Sequence, residues 1–231
     1  MKRIKDTYMF HNKNLLTALI VLMLSLCISS PVKLQAGIRE NLLLAAKNGN
    51  TDEVKLLLQK DASPNVRDED ELSPLYYAVE SGKEDMVKIL ISAGANVNMR
   101  YKDDTTVLMR ASLKGYDDIA RWLIRADANV NARDIHEKSV LIYAVQNGRI
   151  DIVKMLITKG VNINSSDNRG RTPLMYAAEY GYYDIIQLLA KKGANIKARD
   201  NEDKTALTLA QEGEHTEAAL LLEKLIKKEN Y

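Results

Sequence analysis

Apolar residues recur along this chain at a fixed interval of 33 positions. Alanine stands at position 45 and at every thirty-third position after it as far as Ala210, and a leucine lies three residues before each alanine. A period held without slippage predicts a stacked repeat protein, in which each unit buries its apolar face against its neighbours. The repeat boundaries fall at about 37–67, 68–100, 101–133, 134–166, 167–199 and 200–231.

The pattern inside each repeat predicts two short helices joined by a tight turn. Ser73 and Thr172 stand before first helices, where a hydroxyl can accept a free backbone N–H, and Pro173 fills the first helical position without losing a hydrogen bond. Gly82 provides a left-handed residue that ends its helix. Residues 86–91 then place apolar side chains at helical spacing.

One repeat carries the pattern most completely. Residues 172–178 read Thr-Pro-Leu-Met-Tyr-Ala-Ala and are followed by Gly181, a Leu-Leu pair at 188–189 and Gly-Ala-Asn at 193–195. This stretch resembles an ankyrin repeat, and the resemblance extends over about residues 39–231. It implies an all-α repeat solenoid of stacked helix-turn-helix units, with a short β-hairpin finger projecting between units.

Some positions depart from the ankyrin pattern. Asp61 and Asp127 replace a glycine, and Tyr101 replaces the aspartate that opens the other units. Aspartate adopts the left-handed conformation more readily than most residues. We therefore expect these turns to form.

The resemblance also implies a binding surface, because ankyrin fingers and first helices line a concave groove that varies while the scaffold stays fixed. The matching partner-binding positions are Asp70, Leu72, Tyr77, Asp103, Thr105, Arg110, His136, Lys138, Tyr143, Arg169, Arg171, Tyr176 and Tyr180. The sign of the charge drifts along this set. It is acidic at Asp70, Glu80 and Asp103, and basic at Lys138, Arg169 and Arg171.

Tyrosine is frequent, with eleven copies against one phenylalanine and one tryptophan. Three tyrosines recur in register: Tyr77, Tyr143 and Tyr176. These three either pack the helix layer or present their rings to a partner. Tyr180, Tyr182 and Tyr183 cluster only in the fifth repeat, which favours a contact role. Trp122 aligns with apolar residues of other second helices, and we expect it in the core.

The residues before the repeats have the pattern of a secretory signal. A basic start is followed by an apolar run at residues 15–28 and by Leu-Gln-Ala ending at Ala36, which predicts a signal peptide over 1–36, cleaved after Ala36, and an ankyrin-repeat domain over 37–231. The run is shorter than the roughly 20 residues of a membrane-spanning helix, so no stable anchor is expected. Cys27, the only cysteine, resembles a lipoprotein acceptor site, but Leu26 stands where that site has a small residue.

Charge argues against a nucleic-acid partner. The chain has 33 basic and 31 acidic side chains, and residues 1–36 hold five and one of them, which leaves 28 against 30 after cleavage. A domain with a net charge of about −2 lacks the basic surface that binds phosphate backbones.

The sequence also lacks a recognisable catalytic or cofactor site. His11, His136 and His215 have no ligand spacing, so we expect no metal, and the glycines are accounted for by turns rather than by a phosphate-binding loop. The carboxylates that recur in register mark second-helix caps: Asp85, Asp118, Asp151 and Asp184. An enzyme with its site in the groove is the least favoured alternative, since no acid, base and nucleophile converge.

We therefore predict a monomeric, non-enzymatic protein–protein interaction module without a cofactor, exported to the periplasm or cell envelope. The alternative is a secreted effector that targets host proteins. The sequon at Asn164 is expected to be unused, because this asparagine recurs in register and serves the turn.

Overall fold

The computed structural model describes residues 31–229 of the chain. The apolar run at 15–28 and Cys27 lie outside the described residues, so the signal peptide and the lipidation alternative stay predictions. Within 31–229 the chain forms twelve α-helices. They are α1 (Pro31–Lys47), α2 (Thr51–Gln59), α3 (Pro74–Glu80), α4 (Glu84–Ser92), α5 (Val107–Lys114), α6 (Asp117–Arg125), α7 (Val140–Gln146), α8 (Ile150–Thr158), α9 (Pro173–Glu179), α10 (Tyr183–Lys191), α11 (Ala206–Glu212) and α12 (Thr216–Glu229).

The helices pair in chain order and then stack. Each odd-numbered helix, here called a first helix, contacts the even-numbered second helix that follows it. First helices also contact neighbouring first helices, and second helices contact neighbouring second helices, so two parallel layers run along the molecule. The bond after Ala36, where cleavage is predicted, lies within α1, and cleavage would leave residues 37–47 of that helix.

Hydroxyl caps begin the first helices as the sequence predicts. Ser73 accepts a hydrogen bond from the backbone N–H of Tyr76, and the same contact is made at the start of α5, α7, α9 and α11. The aspartates of the second helices are placed differently from the prediction. Asp85 lies inside the first turn of α4, while the N-cap is Lys83 and makes no side-chain cap bond. Asp85 therefore stabilises its helix through the helix dipole and through an ion pair with Lys88 at 3.4 Å, rather than as a cap.

The recurring alanines and leucines form one continuous core. The six alanines from Ala45 to Ala210 are at most 1% exposed, and so are the leucines three residues before them in the first five repeats. In the sixth repeat Leu207 is only half-buried, and it packs against the edge of the core. Fully burying a leucine contributes about 1.5–3 kcal/mol, so the stacked layers supply most of the stability of these short helices.

A five-residue loop, here called a finger, precedes each first helix from α3 onwards. The fingers are finger 1 (68–72), finger 2 (101–105), finger 3 (134–138), finger 4 (167–171) and finger 5 (200–204). In each, the backbone N–H of the opening residue donates to the carbonyl of the last residue, at 2.9–3.1 Å. The described residues contain one isolated antiparallel bridge, Arg133 with Ser139, and no strand. The fingers are therefore single hairpin turns rather than strand ladders.

Trp122 is not in the core, and that prediction was wrong. Its ring is half-buried on the second-helix layer, where its indole N–H donates to Glu84 Oε1 at 3.2 Å. Lys88 and Arg125 lie 5.3 and 5.5 Å from the ring. The indole therefore lies among charged neighbours on the second-helix layer, where its N–H has a hydrogen-bond acceptor and its ring faces two cations.

Candidate functional site

In three fingers the opening aspartate is bound by a tyrosine of the following first helix. The hydroxyl-to-Oδ2 pairs are Tyr77–Asp68 (2.5 Å), Tyr143–Asp134 (2.7 Å) and Tyr176–Asp167 (2.6 Å). The second oxygen of Asp134 accepts the backbone N–H groups of His136 and Lys138, and the aspartates of fingers 1 and 4 make the same two contacts. These pairs tie the fingers to the helices.

The environment of these pairs raises the pKa of all three tyrosines and lowers that of Asp68. Burial, reinforced by the hydrogen bond to Asp167, raises the pKa of Tyr176 to about 12. Burial and the aspartate partner also raise the pKa of Tyr77 and of Tyr143. Although burial opposes it, hydrogen bonds from Tyr77 and from backbone N–H groups lower the pKa of Asp68. The hydroxyl therefore remains a donor across the ordinary pH range.

Two predicted partner-binding residues are buried in the scaffold. Tyr176 is 1% exposed, and its hydroxyl also accepts a hydrogen bond from Arg169 at 2.7 Å. Arg171 is 8% exposed and pairs with Glu179 at 2.7 Å and with Asp200 at 3.2 Å. Both side chains already bind within or between repeats and leave little surface for a partner, so their assignment as contact residues stays a prediction that their burial disfavours.

Other predicted positions are half-buried. They are Leu72, Tyr77, Thr105, Arg110, Lys138 and Tyr143. Arg110 donates two hydrogen bonds to Glu80 Oε2, at 3.0 and 2.8 Å, and Lys114 pairs with the other oxygen of Glu80 at 2.8 Å. Burial opposes the ionisation of Glu80, but these two partners still lower its pKa. The Lys138 ammonium lies 6.0 Å from the rings of both Tyr143 and Tyr176.

The remaining predicted positions are exposed. Four of them occupy the same place in successive fingers: Asp70, Asp103, His136 and Arg169. Tyr180 is 43% exposed at the end of α9. The predicted drift of charge is weaker than the sequence indicates, because Glu80 and Arg171 are neutralised by internal ion pairs. It persists between the acidic tips of fingers 1 and 2 and the basic tip of finger 4.

Adjacent finger tips are joined by their backbones. Ile135 N–H donates to Asp103 O at 3.1 Å, and equivalent bonds join residues 168 to 136 and 201 to 169. The side chain of Ile135 is 54% exposed, and sequence reasoning missed it. The signal was an apolar residue at a place where the other fingers have Glu69, Lys102, Asn168 and Asn201. The tips of fingers 2 to 5 therefore form a connected row with one apolar member.

The recurring asparagine links repeats rather than serving its own turn. Asn164 donates from Nδ2 to Gly193 O at 3.2 Å, and its Oδ1 accepts the Asn195 N–H at 2.8 Å. Asn65 and Asn98 make the same pair of contacts with the repeats that follow them. The predicted local role was wrong, because the bonding partner lies about 30 residues away in the next repeat. Spacing within one turn could not reveal such a partner.

The described part has neither a metal-binding cluster nor a membrane-spanning helix. No group of three His, Cys, Asp or Glu side chains between residues 31 and 229 is placed to hold a metal ion. Over the same residues, no helix combines the length and the apolar character that crossing a bilayer requires.

Comparison with known proteins gives one match. The family model described as ankyrin repeats (3 copies) matches residues 42–134 and 108–200. These overlapping matches cover 42–200, which is more than half of the 231-residue chain and includes fingers 1 to 4. No curated protein matches the sequence.

Proposed function

Because this chain belongs to the ankyrin-repeat family, whose members are in general protein–protein interaction modules, we propose that it binds another protein through its finger face. The finger face comprises the exposed residues of the fingers and of the first helices. In ankyrin proteins this face is a concave groove, along which a partner lies across several repeats. The family is a non-catalytic interaction scaffold, and we propose that this chain acts likewise, as a monomer.

One observation carries the proposal. The residues that hold the repeats together recur in register, as the alanines, the helix caps and the bridging asparagines do. The exposed finger tips instead differ from repeat to repeat, from Asp70 and Asp103 to His136 and Arg169. Invariant supports with variable exposed side chains are what a recognition surface built on a repeated scaffold requires.

We further propose that the protein works outside the cytoplasm. The basic start, the apolar run at 15–28 and the small residue at Ala36 support export with removal of residues 1–36. Among the two destinations, the periplasm or cell envelope is favoured over delivery to a host. After cleavage the domain would contain no cysteine, so an oxidising compartment could form no disulfide in it.

The finger face is tested with charge-reversed tips. A partner is first identified by affinity capture from the exported protein fraction, and its affinity is then measured for the wild-type chain and for Asp70→Lys/Asp103→Lys. We expect the double variant to bind at least about tenfold more weakly, because tip charges steer and fix the partner. Asp118→Lys, on the second-helix layer, is the control. Equal affinity for wild type and the finger variant would contradict the proposal.

Export is tested separately by fractionating producing cells. We expect a mature chain that begins at Gly37 and is released with the periplasmic contents. Recovery in the culture fluid or in host cytosol would instead support the effector alternative. A full-length chain confined to the cytoplasm would contradict export altogether.

A further inference from the structure

We propose that the turn between α9 and α10 carries a second contact surface, which takes arginine or lysine side chains of the bound protein. This surface, here called the tyrosine turn, comprises Tyr180, Tyr182 and Tyr183. The inference rests on the proposed function, since it names the chemistry that the partner presents. It lies at the C-terminal end of α9, and finger 4 lies at the N-terminal end of the same helix.

The tyrosine turn carries two exposed tyrosines, whereas the equivalent turns of the other repeats carry no aromatic pair. Tyr180 and Tyr183 are 43% and 40% exposed, and they are among the few large apolar side chains of the described residues left at the surface. The residues equivalent to Tyr180 in three preceding repeats are Ser81, Lys114 and Asn147. Aromatic rings kept in water at one repeat only are not needed for stacking the array, and they mark a contact site.

The rings are held in place before any partner arrives. Tyr182 is half-buried against the backbone of Gly148, and its hydroxyl donates to Gln146 O at 3.5 Å. Tyr180 stacks on this anchored ring, with centroids 5.8 Å apart and planes 28° from parallel. A stacked pair fixed to the preceding repeat offers a flat surface at small entropic cost.

The charges around the rings select the partner. Asp184 follows Tyr183 directly, and Glu214 flanks His215, whose ring packs over Gly181 in the middle of the turn. Within the described residues neither carboxylate makes an ion pair, and both are exposed. Arg149, which is equivalent to Tyr182 in the preceding repeat, packs its side chain over Gly115 of the repeat before it. The tyrosine turn therefore combines aromatic faces with unpaired negative charge.

This combination fits a cation and disfavours an anion. An arginine or lysine head group is attracted to the negative face of an aromatic ring, and arginine can also stack flat on it. The unpaired carboxylates of Asp184 on this turn and of Glu214 on the next turn add attraction for the same group and repel acidic segments. The occupant we assign is therefore an extended basic segment of a protein.

The experiment uses the full chain and two synthetic peptides of equal length, one alternating glycine with arginine and one alternating glycine with glutamate. Binding is measured by fluorescence anisotropy of the labelled peptide. We expect the arginine peptide alone to bind, and Tyr180→Ser/Tyr183→Ser to weaken it about five- to tenfold, because two cation–ring contacts are lost. Asp184→Asn should weaken it about twofold.

Two control variants test whether the loss of peptide affinity is specific to the tyrosine turn. Asn147→Ser and Asp85→Asn change the equivalent positions of Tyr180 and Asp184 in other repeats, and both should leave peptide affinity unchanged. Circular dichroism confirms that each variant is folded. The proposal is overturned if the double serine variant binds the arginine peptide like wild type, or if the glutamate peptide binds equally well. The finger variant Asp70→Lys/Asp103→Lys tests the proposed function separately, because it leaves the tyrosine turn intact.

Discussion

At the residue scale, the tyrosine–aspartate pairs explain why three tyrosines recur in register. The sequence left two roles open for Tyr77, Tyr143 and Tyr176, and hydrogen bonding decides between them, since each hydroxyl donates to the aspartate that opens its finger. The aspartate in turn folds the finger through its other oxygen. These rings are therefore first of all supports, and the side chains free to meet a partner lie further out on the fingers.

Tyr143→Phe tests this supporting role. The substitution removes the donor to Asp134, which is 5% exposed and would be left with an unpaired carboxylate oxygen. We expect the free energy of unfolding to fall by about 1–3 kcal/mol, as measured by urea denaturation. Tyr116→Phe is the matched control, because no hydrogen bond of the Tyr116 hydroxyl is found in the described residues. Equal losses in the two variants would contradict the role.

The same pairs predict a loss of stability in alkali. The folded pKa of Tyr176 is about 12, above its ordinary value of 10, so folding favours the protonated hydroxyl. Its contribution is fully present below pH 10 and is lost as the pH rises through 12. We expect the urea midpoint to fall across this interval while tyrosinate absorbance rises. A midpoint that stays constant up to pH 12 would show that the pairs do not contribute.

At the scale of elements, the junctions between repeats turn short helices into an array. A helix of seven to nine residues is not stable alone, so its neighbours must supply the missing interactions. Some of these interactions come from the asparagine bridges between repeats, and others come from packing at the turns. The ring of His215 packs over Gly181, where a Cβ atom would lie 2.5 Å from Nδ1. Gly181 is thus required both for its φ of +68° and for the space it leaves.

The sixth repeat shows that the left-handed residue of the turn is fixed by its position in the repeat, even when that residue is not glycine. Its glycine, Gly213, comes one place early and has an ordinary negative φ of −80°. The left-handed residue is instead Glu214, 33 positions after Gly181, with φ +57°. The packing of α11 on α9 fixes where the helix must end, so the backbone accepts a strained glutamate there.

Asn98→Ala tests the junctions. Asn98 donates to Asp127 O at 3.0 Å and accepts from Asn129 N–H at 2.7 Å, so its removal breaks both bonds between two repeats. We expect the free energy of unfolding to fall by about 1–3 kcal/mol. Asn48→Ala, at an exposed asparagine with no such bridge, should change it by at most about 0.5 kcal/mol. A similar effect of both substitutions would show that the bridge is not stabilising.

At the scale of the whole molecule, internal ion pairs change the surface that the composition predicts. Glu80 and Arg171 contribute to the drift of charge in the sequence, yet both are neutralised across repeats. What remains for recognition is a row of finger tips with one exposed isoleucine, and the tyrosine turn at the other end of the first helices. Internal ion pairs thus hold neighbouring repeats together, while exposed charges remain at the finger tips and at the tyrosine turn.

The sequence by itself determined the period, the caps of the first helices, the left-handed turns and the membership of a stacked family, because each is recognised from residue types at fixed spacings along the chain. Only the tertiary structure decided that Tyr176 and Arg171 are buried, that Trp122 lies at the surface, and that Asn164 joins two repeats. The physical reason is that equivalent positions of neighbouring repeats lie about 30 residues apart in sequence but touch in space. Burial and pairing there depend on which particular side chains meet across the junction, and a pattern within one repeat does not specify that.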